Sequence, residues 1–171
     1  MIAAFFCASS PLEQVTLLLK FPGEILMKRL FILGFIMGMV YFTLEGFWRG
    51  WTNITMLFVG GLCGVIVGSL NEYPDYINLK VWQQTLVAWP LVLIVEFVSG
   101  LVLNVWLGLQ IWDYTGTLGS LYGQVSLPYA LLWLPLIPFG IWLDDWLRWK
   151  LFDEEEPPKL ESIYRDLIRL R

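Results

Sequence analysis

The sequence predicts an all-α, polytopic membrane protein: a four-helix transmembrane bundle flanked by an N-terminal interfacial helix and a C-terminal amphipathic helix. Three observations lead there. Of 171 residues, 57% are hydrophobic and only 15% charged, where soluble domains carry roughly 25% charge. Four apolar runs come close to the ~20 residues that a helix needs to cross a ~30 Å hydrocarbon core. Lysine and arginine fall almost wholly on one side of those runs.

Residues 1–29 are expected to form an interfacial segment, with a helix from Leu12 to Phe21. Glu13 and Gln14 interrupt its apolar character, and Pro11 and Pro22-Gly23 punctuate it. It does not read as a signal peptide, because no positive region precedes its short apolar run. A fifth span starting at Met1 is the less favoured alternative. Residues 30–147 are expected to be the four-span transmembrane domain, with spans at Leu30 to Trp48, Ile54 to Leu70, Leu86 to Leu107 and Tyr129 to Leu147.

Residues 148–171 follow as a cytoplasmic segment. The acidic run Asp153 to Glu156 and Pro157-Pro158 end the membrane part. Leu160, Ile163, Tyr164, Leu167 and Ile168 then recur at helical intervals, which predicts an amphipathic helix. It would lie on the membrane face, with Arg165, Arg169 and Arg171 near anionic headgroups, or dock onto a partner subunit.

Orientation follows from the basic residues. Ten of the eleven Lys and Arg residues flank span one on its N-terminal side, follow span four, or sit between spans two and three. Arg49 alone lies on the opposite side. Both termini are therefore expected in the cytoplasm.

Composition also excludes functions. The chain has no histidine, which removes the usual neutral-pH proton shuttle and the commonest metal ligand. Cys7 and Cys63 sit far apart in apolar stretches and read as small buried hydrophobes. No glycine-rich phosphate loop and no Ser/His, Cys/His or HExxH set occurs. An enzyme is not expected, nor a cofactor or a metal site. The net charge of −4 gives no sign of nucleic-acid binding.

Four polar residues stand out as candidates for a substrate or ion path: Glu96, Asn104, Glu45 and Asp113. Glu96 lies near the middle of span three with no basic residue within two turns. An ionisable group at that depth is expensive and normally faces protein or water. The bland alternative is a glutamic acid hydrogen-bonded to another helix as structural glue. Gly100 and Asn104 continue its face at i+4 and i+8. Glu45 pairs at i,i+4 with Arg49, as Asp144 does with Arg148, so each pair can anchor a helix end at an interface. The alternative for Glu45 is an outer vestibule. Asp113 sits between Trp112 and Tyr114 in a long third loop that lacks Lys and Arg; loops of that length are usually functional or partly re-entrant, with Asp113 exposed at the tip or folded back as a lid.

Glycine and proline mark the packing. Gly60, Gly64 and Gly68 recur every fourth residue in span two, so another helix can approach closely. Tight packing within one chain is the main reading, and homodimerisation the other. Gly34 and Gly38 repeat the device in span one. Pro135 and Pro138 are expected to interrupt span four and free the carbonyls of Leu131 and Leu134, as in the broken-helix sites of transporters.

From Met27 onward the chain resembles a group of small uncharacterised bacterial membrane proteins labelled type IV ABC-transporter permeases. The residues that carry the resemblance are MKRLFILGFIMGM at Met27 to Met39, LEGFWRG around Glu45, NEYP at Asn71 to Pro74, EFVSG at Glu96 to Gly100, IWDY at Ile111 to Tyr114 and GQVSLPYALLW at Gly123 to Trp133. It covers most of the chain. Within that group Met27 would be the natural start, and Asn104 stands where a second acid is often found. The resemblance implies a membrane component, in the cytoplasmic membrane of a bacterial cell.

Two functions follow. The first is a small transporter or permease-like component with a polar site around Glu96. The second is a non-transporting scaffold that recruits partners. Expected partners are the lipid bilayer, a second copy or another membrane subunit, and a separate ATPase if the chain serves transport.

Overall fold

The computed structural model describes residues 22–73 and 77–170, so the helix expected over Leu12 to Phe21 lies outside the described residues. The chain divides into two compact units, Met1–Ile32 and Leu33–Arg171. In the first, the described residues form the opening turns of a helix, where Lys28 and Glu24 pair at 2.7 Å across one turn. Helix α1 runs Pro22–Arg49, starting earlier than Leu30. Glu24, Leu26, Met27, Lys28 and Arg29 are strong helix formers, and the ion pair favours the same conformation. Gly50 stops the helix at φ +77°, a conformation that glycine adopts without penalty.

Helix α2 spans Thr55–Leu70, with the Asn53 side chain accepting the Thr55 amide at 3.0 Å just before it. Helix α3 spans Val81–Gly100 and continues as a π-helical turn, Leu101–Trp106. Helix α4 spans Leu127–Phe152 and runs unbroken through Pro135 and Pro138. Helix α5 spans Leu160–Ile168. Among the described residues there is no strand, only an isolated bridge between Leu121 and Val125.

The stretches Gly23–Arg49, Val81–Trp106 and Leu127–Phe152 are long and apolar enough to cross a membrane. Helix α2 is apolar but has 16 residues, about 24 Å at 1.5 Å each, shorter than a ~30 Å core. In the larger unit, large apolar side chains are exposed and several polar ones buried. Phe58, Ile94, Val105 and Trp106 are exposed, while Glu45, Gln84, Glu96, Gln124, Asp144 and Arg148 are buried. That distribution fits an apolar solvent outside, with polar groups held inside among apolar side chains.

Helices α2, α3 and α4 pack on one another, around Cys63, Val67, Ala88, Val92, Ile137 and Ile141. Helix α1 joins through glycine. A Cβ at Gly61 would lie 2.5 Å from the Gly34 carbonyl oxygen, and one at Gly38 would collide with the Leu57 carbonyl. The two backbones therefore touch directly, which only glycine permits. Further along α2, Gly60 seats the Tyr41 ring, Gly64 seats the Met37 side chain, and Gly68 seats the Asp144 carboxylate of α4. One face of α2 thus receives α1 over two turns and α4 at the next.

Helix α5 folds back along the bundle and packs against α3 and α4. The Tyr164 hydroxyl donates to the Pro135 carbonyl at 2.7 Å, and the Trp142 indole donates to the Pro158 carbonyl at 3.1 Å.

Candidate functional site

Glu96 is 8% exposed. Its Oε2 accepts the Trp133 indole N–H from α4 at 3.0 Å, and the carboxyl also receives the Tyr114 hydroxyl. Its partners are therefore side-chain donors, where the sequence pointed to the freed carbonyls of Leu131 and Leu134. The physical reason lies in the aromatic packing. Trp133 is held by a parallel stack on Tyr41 at 5.5 Å and 7°, and Tyr114 by a stack on Tyr129 at 4.2 Å and 14°. Both donors are thus fixed in place before they meet the carboxyl.

The residues between α3 and α4 form a roof over this cluster. Ile111 and Trp112 are 2% and 4% exposed and turn inward to pack with Met56. The Trp112 indole donates to the Gln124 carbonyl at 3.0 Å. Gly100 makes room for this return, since a Cβ there would lie 2.5 Å from Gln124 Oε1 and 3.1 Å from the Trp112 ring. The loop is therefore re-entrant, seated on the glycine one turn beyond Glu96.

Asn104 staples the roof to its helix. Its Nδ2 donates to Gln124 Oε1 at 2.9 Å, and its Oδ1 accepts the Ile111 amide at 2.7 Å. It lies in the π-helical turn, and Gly100 and Asn104 both meet Gln124 Oε1, so the face that begins at Gly100 continues to Asn104. Glu45, 9% exposed, anchors the roof from the other side. It pairs with Arg49 at 2.6 Å, and Arg49 donates to the Ile111 carbonyl at 2.7 Å. The pair is tied inward by the loop instead of reaching to an interface. Asp113 is exposed and closes a local turn, its Oδ1 accepting the Thr115 amide at 2.8 Å. The Thr115 hydroxyl and amide hold its carboxyl below the usual aspartate range. Of the four candidates, Glu96, Asn104 and Glu45 are thus bonded within the bundle and its loop, and Asp113 lies exposed.

A cavity of about 60 Å³ lies beside the site, lined almost wholly by apolar side chains including Met37, Tyr41, Cys63, Val92, Trp133 and Ile137. Glu96 is not among its lining residues. At the opposite end, Asp144 is 1% exposed, pressed on Gly68 and paired with Arg148 at 2.6 Å. Arg148 also meets Glu72 at 3.1 Å, and Asp145 accepts Asn71 Nδ2 at 2.6 Å. This network borders a groove of about 690 Å³ shared with Glu154, Glu155, Glu156 and Ile163.

The sequence singled out Glu96 but not Trp133, Tyr114, Tyr41 or Gln124. The indole and phenol that reach it come from other elements, and a tryptophan in an apolar run carries no local sign of a polar task. No group of three or more Asp, Glu or Cys with metal-binding geometry exists among the described residues. Compared with known proteins, the chain matches no family model, no curated protein and no solved structure.

Proposed function

We propose that this chain is a small subunit of a bacterial cytoplasmic membrane, with four spans and both termini in the cytoplasm, that acts by holding partners and not by passing a solute through its own bundle. One observation carries the reading. Glu96, the residue best suited to a transport site, spends its hydrogen-bonding capacity on Trp133 and Tyr114 beneath a stapled roof. A buried acid satisfied by the protein is structural glue.

The fourth span in this reading is α2, whose short length is offset by backbone contact with α1. The distribution of basic residues supports the orientation. The resemblance to permease-labelled membrane proteins supports a subunit of a larger assembly, in which a separate ATPase would be one partner.

A second reading, a proton-coupled carrier in a closed state, is favoured by the π-helical turn directly after Glu96's helix, since such turns often occur at functional sites. Purified protein in liposomes with an internal pH dye separates the two. The scaffold reading expects wild type and Glu96→Gln to leak protons no faster than protein-free vesicles. A flux present in wild type and absent in a stable Glu96→Gln variant would establish the carrier instead.

A further inference from the structure

Helices α2 and α3 close on each other around Cys63, Val67, Ala88 and Val92, and toward the Thr55 end of α2 they part. A gap of about 480 Å³ opens there, walled by Phe58, Val59 and Leu62 of α2 and by Ile94, Val98 and Leu103 on the α3 side. It opens to the outside of the bundle, where Phe58 is 69% and Ile94 57% exposed. Two hydroxyls border the gap, and both are already spent. Ser99 donates to the Val95 carbonyl at 2.6 Å, and Thr55 donates to Asn53 Oδ1 at 3.1 Å. Neither donor is left for a ligand, so the occupant is apolar.

Size then separates the apolar candidates. Water does not fill an apolar gap, whereas lipid tails are as apolar as leucine. From Thr55 to Leu62 the α2 wall is about 10 Å long at 1.5 Å per residue. A helix of that length and ~10 Å diameter occupies roughly 800 Å³, more than the gap holds, so a second helix can lie across it but not enter. A single acyl chain fits inside. The gap also backs onto the roof, because Val59 and Leu103 pack against Met56, Ile111 and Trp112. We infer that one acyl chain of an outer-leaflet lipid seats between α2 and α3 and supports the re-entrant loop from behind. The inference rests on the membrane-spanning reading and orientation above and adds the ligand.

Full-length protein in vesicles of phosphatidylcholine that carries a diazirine midway along one acyl chain, irradiated and mapped by peptide mass spectrometry, tests it. Labelling is expected at Phe58, Leu62 and Val98 at least fivefold above Leu131 and Leu132, which are 48% and 39% exposed on α4 outside the gap. Val98→Phe fills the gap and should remove the excess at Phe58 and Leu62. Unchanged labelling at Leu131 and Leu132 shows that the variant still folds. Phosphatidylcholine returned to delipidated protein should slow proteolysis between residues 108 and 126 at least threefold, and no effect would remove the support of the loop. Three outcomes overturn the lipid seat: even labelling of all these residues, an excess indifferent to Val98→Phe, or labelling weaker in the gap than on α4, which would mean that protein covers it. Labelling nowhere in the chain, with release of the protein by alkaline carbonate, would instead overturn the membrane reading on which the inference rests.

Discussion

Gly61→Ala tests the backbone contact between α1 and α2. The added methyl carbon would start 2.5 Å from the Gly34 carbonyl oxygen, whereas such carbon–oxygen contacts settle near about 3.3 Å. The helices must therefore part by about 0.8 Å, and the neighbouring seats of Met37 on Gly64 and Tyr41 on Gly60 loosen with them. Gly140→Ala is the control, because its Cβ would meet nothing closer than Val67 Cγ1 at 4.0 Å. Both substitutions gain the same helix preference of about 1 kcal/mol, so their difference isolates the packing cost. Overpacking of a tight contact typically costs about 1–3 kcal/mol. Equilibrium unfolding in mixed micelles, followed by far-UV circular dichroism, should show Gly61→Ala less stable than Gly140→Ala by that amount. Equal stabilities would refute direct backbone contact.

Further outcomes follow from the roof and the carboxyl beneath it. Trp133→Phe removes one donor to Glu96 while keeping an aromatic ring, and should cost about 0.6–2 kcal/mol in the same unfolding assay; an unchanged protein would mean the indole bond contributes nothing. Gly100→Val should push Gln124 and Trp112 off α3, seen as faster proteolysis between residues 108 and 126, and wild-type resistance would contradict the re-entrant seat. For Asp113 the folded pKa is held low, so its turn is fully supported at neutral pH and weakens only as acid passes below the ordinary aspartate value. The Thr115 amide resonance should accordingly titrate with a midpoint under about 3.9, and a midpoint at or above it would remove the proposed hydrogen bonds.

How much of this was legible in the sequence varies with the range of the interaction. The apolar runs announced helices Gly23–Arg49, Val81–Trp106 and Leu127–Phe152 because hydropathy is a local property. The glycine spacing in α2 announced a smooth face, but not that Gly68 would seat a carboxylate from α4, since nothing near Gly68 encodes the register of a helix some seventy residues on. Depth alone singled out Glu96. Its donors did not show, because Tyr114 reaches it only when the loop folds inward. The spacing placed Asn104 on the face of Gly100, but not its bonds to Gln124 and Ile111 across the loop, which local spacing does not encode. The loop's length and composition suggested a partly re-entrant turn, but its seat was hidden, as it depends on the absence of a side chain at Gly100 and on Asn104 bonding both arms of the loop.

Whether water reaches the Glu96 position tests the central claim most directly. With Cys7 and Cys63 replaced by alanine, Glu96→Cys in native membranes would be exposed to a small, charged, membrane-impermeant thiol reagent from either side. Ser120→Cys in the loop serves as the accessible control, and size-exclusion chromatography confirms that each variant remains folded. A bundle closed by Trp133, Tyr114 and the stapled roof predicts labelling at residue 96, with reagent on either side, at least a hundredfold slower than labelling of residue 120 from the loop's own side. Labelling at residue 96 within a few-fold of the control would reveal an aqueous path to the carboxylate position and contradict the account.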